Sequence, residues 1–142
     1  MDVANEQDLK KSDIKILIVD DREDNLFSIE TILEKDNYTI VKADSGRAAL
    51  KILLQQHDFS LILMDVQMPE MNGYEATAAI REKERSSGEH NLIVAMTAHA
   101  MKGDRERCLE AGMDDYVSKP VSRGTLGAVL GRWLHAGAAR DV

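Results

Sequence analysis

The sequence predicts an α/β protein, a five-stranded parallel doubly wound sheet with five helices, and three observations predict it. Five short runs of strand length recur along the chain: ILIV (16–19), YTIVKA (38–43), LILM (61–64), LIVAM (92–96) and DYVS (115–118). Segments with helical apolar spacing separate them and follow the last. Three of the runs are apolar without alternation, as expected of strands covered on both faces by helices. Strands that alternate with helices pair in parallel through right-handed crossovers.

Each helix carries its own signals. The first has Leu26, Ile29 and Leu33 on one stripe, with Phe27 beside it. The second follows Ser45 and offers Leu50, Leu53 and Leu54 as its apolar positions. The third opens at Asn72-Gly73-Tyr74-Glu75, which has capping-box spacing, and ends at Ser86-Ser87-Gly88. The fourth is expected from about Met101 to Ala111, stopped by Gly112 as a left-handed cap. The fifth follows Ser122, with Leu126, Val129, Leu130, Trp133 and Leu134 on one face. Residues 1–13 lack any period and are expected to form a flexible arm; residues 14–134 form the folded domain, and 135–142 a flexible tail.

Composition narrows the function. The 142 residues carry 18 Lys and Arg against 25 Asp and Glu, a net charge of −7. That balance argues against non-specific binding to nucleic acid or to anionic membranes. No apolar stretch reaches the length of a membrane span, and MDVANEQDLKKSD has no apolar core of the signal-peptide kind. The single cysteine, Cys108, fits a reducing compartment. A cytoplasmic, acidic domain without membrane insertion is expected.

The chemistry gathers where the strands end. In doubly wound sheets ligands bind at the carboxyl ends of strands, where the strand order reverses. Strand one ends in Asp20-Asp21, strand three in Asp65, strand four in Thr97 and strand five in Lys119. Three carboxylates presented together near an apolar interior repel one another and call for a positive partner. Hard oxygen ligands of this kind suit Mg²⁺, which keeps several waters and is seldom fully caged by protein. A cation with open positions beside Lys119 can spread the charge of a phosphoryl group while a carboxylate attacks in line. Thr97 can donate a hydrogen bond to such a group.

VDD (19–21), MDVQMPEMNG (64–73), MTAHAM (96–101) and KP (119–120) together resemble the receiver domain of bacterial two-component response regulators, of the chemotaxis-receiver-like, stand-alone or hybrid-kinase type. The resemblance covers residues 14 to 134. It implies a flavodoxin-like sheet in the order 2-1-3-4-5. It implies Asp65 as phosphoacceptor, with Mg²⁺ held by Asp20, Asp21, Asp65 and the backbone carbonyl of Gln67. Thr97 becomes the switch hydroxyl, Lys119 the phosphate-contacting lysine and Tyr116 the aromatic switch residue. The Lys119-Pro120 peptide is expected to be cis. The implied donor is a histidine kinase or a histidine phosphotransfer protein, and MTAHAM with MPEMNGYEA leans towards a phosphorelay.

Two other readings compete. A Mg²⁺-dependent phosphatase with an aspartyl nucleophile needs a second acid two residues on to protonate the leaving group, and that position is Gln67. A receiver-shaped interaction module without phosphorylation has no need of the intact Asp20, Asp21, Asp65 and Lys119. The four histidines, His57, His90, His99 and His135, show no metal spacing, and Met64, Met96 and Met113 read as core filler. Helix five ends near Trp133, nine residues before the last, so output is expected through a downstream protein partner on the face of helix four, strand five and helix five. No helix-turn-helix pattern supports direct DNA binding. Gly124, Gly127 and Gly131 on helix five would allow close approach by a partner or a second copy.

Overall fold

Five parallel strands form one sheet in the order β2-β1-β3-β4-β5. In chain order the elements are β1 (Lys15–Val19), α1 (Glu23–Glu34), β2 (Thr39–Ala43), α2 (Gly46–Gln55) and β3 (Leu61–Asp65). They continue as α3 (Gly73–Ser87), β4 (Ile93–Thr97), α4 (Lys102–Glu110), β5 (Asp115–Ser118) and α5 (Arg123–Leu130). The computed structural model describes residues 14–34, 38–98 and 102–135. The expected arm (1–13), His99, Met101 as the start of the fourth helix, and the expected tail beyond His135 lie outside the described residues.

Alternation along each strand divides the interior into two cores. Leu17, Val19, Ile62, Met64, Ile93 and Ala95 face α2, α3 and α4. Ile16, Ile18, Leu61, Leu63, Val94 and Met96 face α1, through Leu26, Ile29 and Leu33, and α5, through Leu126, Val129 and Leu130. Burial on both faces explains why the runs in β1, β3 and β4 do not alternate with polar residues.

The helix boundaries follow local chemistry. Ser45 caps α2 by accepting from the Ala48 N–H. Asn72 and Glu75 close a reciprocal capping box at the start of α3, and Ser122 with Thr125 does the same for α5. Gly88 (φ 79°) and Gly112 (φ 104°) take the left-handed conformation after α3 and α4, where a Cβ would be strained.

Two expectations need correction. Leu54 is 57% exposed: α2 packs on the core through Ala49 and Leu53, and the next residue is turned about 100° away. The fifth helix does not continue regularly to Trp133 and Leu134. It ends at Leu130 and passes into a π-helical turn, Gly131–His135. The wider turn brings Trp133 Nε1 to 2.8 Å from Asp115 Oδ2, and Arg132 pairs with the same carboxylate.

At the far end of the sheet Arg81 binds three segments together. From α3, where it also pairs with Glu84 Oε1 (2.7 Å), it donates to the Asn91 carbonyl before β4 (2.9 Å) and, between α4 and β5, to the Gly112 carbonyl (2.8 Å) and Asp114 Oδ2 (2.9 Å). Among the described residues no helix is long and apolar enough to cross a membrane.

Among the described residues one buried side-chain group is left unsatisfied. Thr77 on α3 is 0% exposed, and its hydroxyl has no hydrogen-bond partner. A buried unpaired hydroxyl costs about 1–3 kcal/mol. Thr77→Val keeps the shape and removes that group, so it should raise unfolding stability by about 1 kcal/mol, measured as a higher urea midpoint at unchanged slope.

Candidate functional site

Every strand end on one edge of the sheet is held there by the ladder itself. The Asp20 N–H donates to the Ala43 carbonyl (3.1 Å), that of Val66 to Met96 (3.1 Å) and that of Lys119 to Thr97 (2.8 Å). Asp20 just after β1, Asp65 at the end of β3, Thr97 at the end of β4 and Lys119 just after β5 are therefore fixed by backbone register. Lys119-Pro120 is a cis peptide.

Asp20 and Asp65 are buried, at 0% and 2% exposure, whereas Asp21 faces solvent. Oxygens from all three lie within 4.8 Å of one another. Each buried carboxylate also folds back on its own chain. Asp20 Oδ1 accepts from the Arg22 N–H at 3.0 Å, and Asp65 Oδ1 from the Gln67 N–H at 3.1 Å. Lys119 Nζ bridges the pair, 3.1 Å from Asp20 Oδ2 and 3.1 Å from Asp65 Oδ1.

One ammonium does not fully compensate two buried carboxylates. Burial, and then the neighbouring Asp20, push the Asp65 carboxyl up to about 6, against the downward pull of Lys119 and the Gln67 N–H. Burial by itself would lower the Lys119 pKa; its hydrogen bonds to Asp20 and Asp65 outweigh burial and raise it. At neutral pH the site therefore holds an ionised Asp65 beside a charged lysine, with negative charge in excess. Two buried oxygens and one exposed one, all hard donors, fit a small divalent cation that keeps part of its water shell.

Of the residues singled out from sequence, Asp20, Asp65 and Lys119 touch directly. Asp21 joins them at ligand distance, and Thr97, 3% exposed, occupies the adjoining strand end. Gln67 meets the cluster through its N–H. Tyr116 stands apart, half-buried on the edge strand against the core under α2, α3 and α4, with its N–H donated to Asp115 Oδ1 at 2.8 Å.

Two participants were not identified in advance. Asn25, on the first turn of α1, donates its amide to Asp20 Oδ2 at 3.3 Å and orients that carboxylate. Its place five residues after Asp20 was the available signal. Gly73 was read only within a capping box and as the last residue of MDVQMPEMNG. A Cβ there would lie 2.3 Å from the Asp65 carbonyl oxygen and 2.8 Å from Val66 Cα, so α3 packs its first residue directly on the strand that carries Asp65.

A family model described as the response regulator receiver domain matches residues 16–130. Over 120 residues the chain is 44% identical to the sensor protein GacS of Pseudomonas syringae pv. syringae, covering 84% of this chain and 13% of that protein. Its structure is similar to the receiver domain of the sensor histidine kinase PA1611 of Pseudomonas aeruginosa PAO1, solved with a magnesium ion coordinated in the active site cleft. That match has a TM-score of 0.75 at 38% identity, over 86% of this chain and 98% of that one. A co-crystal structure from Saccharomyces cerevisiae, of the histidine phosphotransfer signaling protein Ypd1 and the receiver domain of its downstream response regulator Ssk1, contains a chain matching at TM-score 0.81 and 31% identity, over 88% of this chain and 91% of that one. The chain spans only 7–14% of the length of the first curated relatives it matches.

The raised Asp65 pKa has a thermodynamic consequence. With a folded value of about 6 and an unfolded value near 3.9, the native state binds more protons than the unfolded chain between those limits. Stability should therefore fall as pH rises through that window. Without divalent cations at pH 7.5, Asp65→Asn should be more stable than the parent by about 1–2 kcal/mol, and the difference should vanish below pH about 4. Paired denaturant titrations across pH 3.5–8 test this.

Proposed function

The chain belongs to the response regulator receiver domain family, and on that premise we propose that it accepts a phosphoryl group on Asp65 from the phosphohistidine of a histidine kinase or a histidine phosphotransfer protein. The observation that carries this reading is the buried Asp65 carboxylate, held from one side only among the described residues. Oδ1 accepts from both the Gln67 N–H and Lys119 Nζ, which leaves Oδ2 as the attacking oxygen. Attack on phosphorus forms the P–O bond as the P–N bond breaks, and the electron pair of that bond returns to the donor's imidazole. The product is an acyl phosphate.

Asp20, Asp21, Asp65 and the Gln67 carbonyl would hold Mg²⁺, which supplies positive charge for the phosphoryl oxygens as negative charge develops there. Lys119 already spans Asp20 and Asp65, and a phosphoryl group on Asp65 gives its ammonium a more strongly charged partner. Asn25 and the Arg22 N–H keep the Asp20 carboxylate turned towards the cluster. Thr97 donates its hydroxyl to a phosphoryl oxygen. Its displacement opens space towards Tyr116, and the surface of α4, β5 and α5 shifts between two existing conformations. That surface is read by a downstream protein. Water later attacks phosphorus and returns the Asp65 carboxylate and inorganic phosphate.

The partner class is supported by similarity to sensor kinases and to a receiver solved with a phosphotransfer protein. A phosphomonoester phosphatase is the poorer reading, because Gln67 offers no acid for the leaving group.

Incubation with a phosphorylated kinase or a small phosphodonor should place acid-stable, hydroxylamine-labile phosphate on the protein. Asp65→Asn should lose at least about 100-fold of that labelling; undiminished labelling of the variant would sink the assignment.

Excess chelator should stop transfer by the parent. Added Mg²⁺ should also raise the melting temperature of the unphosphorylated parent, and Asp21→Ala should weaken that shift. Normal phosphorylation in chelator would mean that the acidic cluster does not hold the metal.

A further inference from the structure

Among its described side chains α4 buries only Cys108, while Leu109 is 44% exposed. By contrast α1 and α5 each bury three apolar side chains. So lightly anchored a helix needs other contacts, and Tyr74 supplies two. The Arg107 guanidinium lies over its ring, 4.8 Å from the centroid, and its hydroxyl is 4.0 Å from Cys108 Sγ. Tyr74 follows Gly73, the residue pressed against the Asp65 backbone. Beside this contact a polar cleft, lined by Gln67, Asn72, Tyr74, Thr97, Asp104 and Arg107, separates α4 from the loop after Asp65. The helix therefore has room to move on the side facing the acidic site.

We propose that Tyr74 is a clasp that holds α4 on the sheet through Arg107 and Cys108, and that phosphorylation of Asp65 releases it. The second half rests on the acceptor reading of Asp65. The path is short and physical. Asp65 and Gly73 share a backbone contact, Tyr74 extends from Gly73 to α4, and Thr97 lines the cleft between them. A phosphoryl group that draws Thr97 and the loop after Asp65 towards itself changes both walls of that cleft. Tyr74 then no longer meets Arg107 and Cys108 in register, and α4 opens as a unit. This route to α4 is separate from the one through Tyr116 on β5.

Cys108 is the chain's single cysteine and is fully buried, so its reaction with dithionitrobenzoate reports the opening. In the full-length, unphosphorylated protein, Arg107→Gln and Tyr74→Ala should each speed labelling about five- to tenfold at low denaturant. Tyr74→Phe, which keeps the ring under Arg107, should stay within about twofold of the parent. Labelling should be nearly independent of low denaturant, as for local opening rather than global unfolding. Arg107→Gln is exposed on α4 and leaves the core intact, so it guards against a Tyr74→Ala variant that fails to fold.

Beryllium fluoride with Mg²⁺, a stable phosphoryl mimic, should speed labelling of the parent about fivefold, with hydroxylamine-labile phosphate on Asp65 measured in parallel. Parent-like labelling in both Arg107→Gln and Tyr74→Ala overturns the clasp. Unchanged labelling with the mimic, in a protein whose Asp65 does take phosphate, overturns its release. Failure of Asp65 to take phosphate overturns the acceptor reading instead, and the variants still decide the clasp.

Discussion

Two carboxylates, Asp20 and Asp65, are buried at the ends of adjacent parallel strands with one ammonium between them. Most of what surrounds them exists to make that tolerable. An uncompensated buried carboxylate would take up a proton or pull the strand end into solvent. Here each carboxylate accepts an N–H from two residues on, which keeps the charge inside the fold at small conformational cost. Lys119 completes the arrangement from the opposite side of the sheet's carboxyl edge. The residual imbalance is visible in Asp65, whose pKa stays near 6 in spite of the lysine. A site left short of positive charge is one in which a cation and a phosphoryl group can change the energy balance most.

The parallel topology is what makes the arrangement rigid. With β1 and β3 adjacent and β4 beside β3, the polar residue that ends each strand arrives at the same edge. Ladder bonds continue one step past the strands, from Asp20 to Ala43 and from Lys119 to Thr97. Side chains that meet at 3.1 Å are thus placed by backbone register rather than by loop conformation. At the other end of the sheet, the Arg81, Glu84 and Asp114 network ties α3 to the entries of β4 and β5.

That division explains what was legible in the sequence. The strand runs, the capping residues and the polar strand ends are local signals, and topology alone brings the last of these together, so Asp20, Asp65, Thr97 and Lys119 could be grouped before any coordinates. Contacts that depend on side-chain direction could not. Leu54 satisfied the apolar spacing of α2, yet Ala49 and Leu53 define the buried face. The π-helical turn after Leu130 answers Asp115, a residue 18 positions from Trp133, and no local pattern announces it. Asn25 and Gly73 act on the site from the first turns of α1 and α3. One looked like an ordinary surface amide and the other like a capping residue.

The helices do not share the rigidity of the sheet equally. The acidic edge must stay fixed for its carboxylates and lysine to meet, yet on the proposed acceptor reading of Asp65 a phosphorylation signal would have to leave that edge through something that moves. α3 is pinned at its start by Gly73 on the Asp65 backbone and near its middle by Arg81. α1 and α5 each bury three apolar residues in the second core. α4, held by Cys108 and by the surface contact of Arg107 with Tyr74, is the least anchored helix among the described residues. It also flanks the cleft that Thr97 lines. Low local stability is found in elements that move, because a shift of one or two kcal/mol is enough to change their population. Poor anchoring of α4 beside a well-anchored acidic site is thus the physical asymmetry through which a local change of charge can become a change of surface.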